Sequence, residues 1–155
     1  MLQLTDTGDI RARLETDRLW SAFSLADLDE PFAQHAVWFG PAASDSLLLV
    51  YGAFDPPIVF LHGDAAACDA LLSEPAVVAR TSQAHLNARA HMMPVVARHF
   101  RSFASQSMTR MVLCGDGPFE PRASTAVVRL GPADLPRVQR LYAEEPPAFF
   151  LPAQL

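Results

Sequence analysis

Any chemistry in this chain must come from five histidines (His35, His62, His85, His91, His99), two cysteines (Cys68, Cys114), twelve arginines and seventeen carboxylates. The histidines have no HExxH or similar paired spacing, and no carboxylate recurs with them at helical intervals, so no metal site is predicted. A serine in a GxSxG elbow is absent. Cys68 and Cys114 have no polar neighbour able to activate a thiolate and no metal-like spacing, so they read as small buried hydrophobes of a reducing cytoplasm. Two glycine junctions have the placement of a phosphate loop. Gly115-x-Gly117 follows a strand-like run, but Pro118 and Pro121 stand where a helix would start, so a turn or linker is expected. Leu61-His62-Gly63-Asp64 joins a strand to a helix and could present free N–H groups, yet Asp64 would itself satisfy them and repel a phosphate. The acidic cluster Asp27-Asp29-Glu30 reads as a solvated helix end, and Trp20, Trp38 and Phe39 as core. The residues alone therefore assign no catalytic or cofactor-binding side chain.

The elements that would position such groups belong to an ordinary globular chain. It has 155 residues, half of them hydrophobic and 19% charged, which suits one domain, or one plus a fragment, and excludes dominant disorder. The longest apolar run, Leu47 to Ala53 broken by Gly52, is far shorter than the roughly 20 residues of a membrane span. Near the N-terminus, Asp6 and Asp9 stand where a secretory signal would be apolar. The net charge of −5 and isoelectric point near 5.4 disfavour nucleic acid, whose binders carry a basic face. All the basic residues are arginine, a bias expected of a GC-rich genome, so an individual arginine is no sign of an anion site.

Residues 5 to 28 read as helical, with Thr7 or Asp9 capping a first segment. Asp17 would cap a second, whose apolar stripe is Leu19, Trp20, Phe23, Leu25 and Leu28. Three apolar runs follow as strands: Ala36 to Phe39, Ser46 to Phe54, and Ile58 to Leu61 after the turn Asp55-Pro56-Pro57. Their near-continuous apolar character predicts a sheet covered on both faces. Asp64 then caps a helix with Ala67, Leu71 and Leu72 inward. Ala76 to Ala79 reads as a short strand, Ser82 to about Met92 as a helix ended by Pro94, and Ser107 to Leu113 as a strand. Composition shifts at Gly115 to Pro121, a predicted boundary. Beyond it come a strand, Thr125 to Leu130, and a helix capped by Asp134 with Leu135, Val138, Leu141 and Tyr142 as its apolar face and Pro136 in its first turn. The pattern is an α+β domain of α/β-type layers.

Several stretches resemble the N-terminal part of two-domain proteins of the GNAT acetyltransferase superfamily. They are Leu14-x-x-Asp17-Arg18-x-Trp20, Ala26-Asp27-Leu28-Asp29 before Pro31-Phe32, Trp38-Phe39, Tyr51-Gly52-Ala53-Phe54-Asp55-Pro56-Pro57, Phe60-x-x-Gly63-Asp64 and Arg110-Met111-Val112-Leu113. Val128 to Pro136 is similar to the first strand and helix of the catalytic domain of such proteins. The resemblance implies a GNAT-like mixed sheet, mainly antiparallel, with helices on both faces. It also implies a degenerate GNAT-like domain over residues 1–118, then a linker with the first strand and helix of an incomplete second domain over 119–155. In the family, acetyl-CoA passes its acetyl group directly to an amine. Its diphosphate rests on the loop [Arg/Gln]-x-x-Gly-x-[Gly/Ala] between a strand and a helix. No stretch of this sequence fits that loop. The expectation is a relative that ends before its coenzyme loop and transfers acetyl groups poorly or not at all. The rival expectation is a non-catalytic binding or dimerisation module, pairing as a homodimer through the C-terminal strand and helix, whose apolar faces need cover. A third is an unrelated small-ligand α/β domain.

Overall fold

The computed structural model describes residues 2–110, 112 and 130–143. The chain divides into two units, Met1–Val112 and Leu113–Leu155.

The first unit is built on a five-stranded mixed sheet in the order β1-β2-β3-β4-β5. Its strands are β1 (Leu2–Leu4), β2 (Ala36–Gly40), β3 (Leu47–Tyr51), β4 (Ile58–His62) and β5 (His85–Asn87). The first four run antiparallel to their neighbours; β5 lies parallel to β4, with Phe60 opposite Asn87 as the last pair. Between β1 and β2 come helices α1 (Thr7–Glu15) and α2 (Ala22–Ala26). Between β4 and β5 come α3 (Ala65–Leu72) and α4 (Pro75–Val78), and α5 (Met93–His99) follows β5.

All five residues of β3 are buried, as the unbroken apolar run required. Strand alternation sorts them. Leu48, Val50, Val59, Leu61 and Phe39 join one core with Cys68, Leu71 and Leu72 of α3, Val77 of α4, and Val95 and Val96 of α5. The alternate residues Trp38, Leu49, Phe60 and His62 belong to the opposite face, where α1 buries Ile10 and Leu14 completely. The sheet is thus covered on both sides. Each fully buried aliphatic side chain contributes about 1.5–3 kcal/mol.

Several expected elements take another form. Leu2–Leu4, too short to show a period, forms β1. The cap of α1 is Asp6, not Thr7 or Asp9; its Oδ1 accepts from the amides of Gly8 and Asp9 at 2.8 and 3.1 Å. The supposed stripe of residues 17–28 is split: Leu28 is buried while Leu19 and Phe23 are 62% and 73% exposed. Ala76 to Ala79 is not a strand. Pro75 opens α4 with its fixed φ, and the Glu74 carbonyl accepts from Val77 and Val78. The helix placed at 82–92 is instead strand β5 followed by a 3-10 turn. Pro94, read as a stop, sits in the first turn of α5, where a missing N–H costs nothing. Residues 107–110 and 112 form no strand; the apolar members of their alternation, Met108 and Val112, face solvent.

Within the second unit, a 3-10 turn (Pro132–Asp134) leads into α6 (Leu135–Ala143), with Pro136 in its first turn. Gly131, not Asp134, occupies the cap position of that turn; the Asp134 carboxylate accepts from the Gly131 amide at 3.0 Å. On α6 Val138 is buried and Leu141 is 68% exposed, so the expected apolar face is not uniformly covered. The linker at Gly115 to Pro121, Cys114 and the strand Thr125 to Leu130 up to Arg129 lie outside the described residues.

Leu48 is fully buried at the centre of the sheet. Leu48→Ala is expected to lower unfolding stability by about 2–5 kcal/mol, read as a shifted urea midpoint at unchanged slope; a change below 1 kcal/mol would contradict this placement of the core.

Candidate functional site

The junction of β4 and α3 is where the sequence comes nearest to a phosphate loop. Gly63 has φ +98°, and a Cβ there would collide with the Ser46 side chain, so the position demands glycine twice over. Asp64 then turns extended and caps α3; its Oδ1 accepts from the amides of Ala66 and Ala67, both at 2.9 Å. Ser46 donates to Asp64 Oδ2 at 3.2 Å and its oxygen accepts from the Asp64 amide at 3.2 Å. Hydrogen bonds from the Ala67 amide, then Ser46 and Ala66, hold the carboxyl below its ordinary range against the opposing effect of burial. The helix amides that could receive an anion therefore already carry one, supplied by the chain.

Ser46 is fixed in turn from α1. Arg13, 8% exposed, pairs with Asp9 at 2.8 Å and donates to the carbonyls of Pro41 and Ser44 at 2.8 and 2.7 Å. That clamps the loop between β2 and β3.

One residue before Gly63, His62 is buried beneath the link between α1 and α2. Its Nε2 lies 3.3 Å from Thr16 Oγ1 and its Nδ1 3.1 Å from Ser21 Oγ. Thr16 donates its own proton to the Arg13 carbonyl at 2.7 Å. Thr16 thus accepts from Nε2–H, and Nδ1 accepts from the fully buried Ser21 hydroxyl. Burial, more than any charge nearby, lowers the imidazole's proton affinity, so the ring is neutral. With the serine sealed and its proton already given to Nδ1, the group is a structural pin between sheet and helix link, not an accessible nucleophile–base pair.

β4 runs past its last pairing with β5, leaving the Leu61 carbonyl without a strand partner on that side. Trp20 takes it, its indole N–H donating at 3.0 Å while the ring stacks on Phe60 with centroids 5.3 Å apart. Guanidinium groups sit over the indole: Arg89, just past β5, at 5.1 Å, and Arg110 at 4.7 Å. Arg89 pairs with Asp17, and Arg110 donates to the carbonyls of Leu19 and Trp20. Burial raises the Asp17 carboxyl, but the Trp20 amide and Arg89 outweigh it and hold it low. Trp20 is therefore half-exposed and ringed by charge, a correction to its reading as core; Trp38 and Phe39 are buried as expected.

The remaining reactive residues do not converge. Cys68 is fully buried, its thiol pushed up to about 12 by burial and then by the charge of Asp64. His99 pairs with Asp69 at 2.7 Å, His35 lies edge-on to Tyr51, and His91 is exposed. Among the described residues no three of His, Cys, Asp and Glu stand close enough to share a metal. The acidic cluster also divides. Asp29 pairs with Arg11 at 2.9 Å, whereas Asp27 is half-buried, and burial pushes its carboxyl up to about 6. No sequence signal marked Asp27; the helix that buries it had first to be placed. No helix among the described residues is long and apolar enough to cross a membrane.

No family model, curated protein or solved structure matches the chain.

Asp27 makes a test of this packing. A carboxyl raised from 3.8 to about 6 keeps its proton in the folded state after the unfolded chain has released it. Stability therefore falls as pH rises between those values, and the penalty is complete above about 6. Asp27→Asn cannot ionise, so its Tm is expected to gain on the parent from pH 4 to pH 7; parallel Tm curves would contradict the burial.

Proposed function

We propose that this chain is a relative of the GNAT N-acetyltransferases that does not transfer acetyl groups by itself, its first unit serving as a degenerate, non-catalytic GNAT-like domain. The mixed, mainly antiparallel sheet with helices on both faces agrees with what the resemblance implies. The residues that carry the resemblance are structural here: Trp38-Phe39 lies in β2, Tyr51 ends β3, and Phe60-x-x-Gly63-Asp64 makes the turn into α3.

The observation that carries the reading is Asp64 on the amides of Ala66 and Ala67. In the parent chemistry, main-chain amides at a strand-to-helix turn hold the coenzyme's diphosphate, a base deprotonates the ammonium, and backbone donors polarise the thioester carbonyl. Here a fixed carboxylate replaces the anion, and a diphosphate would have to displace it against its own charge. Acyl transfer at this turn is thereby disfavoured before any base is considered.

A thiol-release assay with acetyl-CoA and a broad amine panel is expected to give no turnover above background, and calorimetry with coenzyme A no saturable heat. Turnover well above background, or tight binding, would overturn the proposal. A second reading, self-association through the C-terminal helix, is favoured by the exposure of Leu141 on α6. Sedimentation would then give a dimer at micromolar concentration that Leu141→Glu dissociates; a monomer for the parent chain would refute it.

A further inference from the structure

Away from that turn, a cavity of about 230 Å³ opens beside β1 and β2. Leu4, Ile10, Leu28, Val37 and Trp38 wall it, and the one charged residue lining it is Asp27. Among the described residues no group donates a hydrogen bond to the half-buried Asp27 carboxyl, and burial raises its proton affinity. A second polar group is left over nearby. The hydroxyl of Tyr51, a residue 5% exposed, is buried with no hydrogen-bond partner among the described residues. It is near enough to Asp27 for the carboxylate's charge to bear on it. A half-buried carboxylate at the edge of an apolar space, with no donor of its own, calls for a cationic partner.

We propose that this cavity is a binding site for a small organic cation, a primary ammonium on a compact apolar body. The Asp27 carboxylate pairs with the ammonium and the apolar walls receive the body. The chemistry of the walls makes the choice. An anion would meet a carboxylate and no arginine. A divalent metal ion would find a single carboxylate beside the neutral side chains of Gln3, Thr5 and Thr7, too little anionic charge for its shell. An ammonium has three donors, enough for both carboxylate oxygens of Asp27 and a hydroxyl or amide oxygen of Gln3, Thr5 or Thr7, which also line the cavity. Trp38 adds an aromatic surface, which attracts cations. The volume lies below the roughly 300–1,000 Å³ of drug-sized sites, which limits the ligand to a small one. The site requires neither a coenzyme nor group transfer, so it stands apart from the GNAT reading and its failure would leave that reading intact.

The test is calorimetric titration of the full chain at pH 7.5 with 2-phenylethylamine, its neutral analogue 2-phenylethanol, and the anion 3-phenylpropionate. The amine is expected to bind saturably, with the alcohol at least tenfold weaker and the anion not at all. Asp27→Asn, isosteric and expected to fold at least as stably, should weaken the amine at least tenfold. Amide spectra of the labelled chain should place the amine's shifts at Ala36, Val37 and Trp38. Absence of amine binding, equal binding of the alcohol, unchanged binding by Asp27→Asn, or shifts confined to other residues would each overturn the proposal.

Discussion

The hydrogen bonds from Ala66 and Ala67 to the Asp64 carboxylate organise both the fold and its functional character. They stop β4 and start α3 within two residues, and so set α3 against the central strands. The turn works only because Gly63 adopts a positive φ and yields its Cβ space to Ser46. Ser46 reaches that place because Arg13 clamps the loop before it to α1. A cap of this kind contributes about 1 kcal/mol to stability. Its larger effect is electrostatic, since it puts a negative charge where an anion-binding turn must be empty and positive.

The opposite face of the sheet, under α1, is closed by polar devices, not by apolar packing alone. His62 spans Thr16 and Ser21, and Trp20 caps the Leu61 carbonyl that β5 leaves unpaired. Arg89 and Arg110 then cover the indole. Each side chain satisfies a neighbour that burial would otherwise leave unpaired, which makes these residues mutually dependent. The Tyr51 hydroxyl, buried with no partner among the described residues, is the exception on this face.

Much of this was legible in the sequence where one physical signal dominated. Apolar runs as continuous as Leu47 to Tyr51 admit only a strand covered on both sides, and the Asp64 cap followed from a carboxylate directly before an alanine-rich helix. Short segments failed where local signals conflict. Pro94 reads as a stop although it lies in the first turn of a helix, and Ala76 to Ala79 is too short for a period to separate strand from helix. The alternation begun at Ser107 finds no sheet edge at residues 107–110 and 112. What sequence could not reveal was pairing across long separations. Trp20 against Arg89 and Arg110, His62 against Ser21, and Asp27 near Tyr51 join residues far apart in the chain, and none leaves a local mark.

The central claim is that the amides at the start of α3 are already filled by the chain's own carboxylate. The most direct measurement is an amide-resolved NMR titration of the labelled chain with inorganic pyrophosphate, following Ala66 and Ala67. Both resonances are expected to stay unmoved through millimolar ligand. Saturable shifts at these amides in the unaltered chain would contradict it.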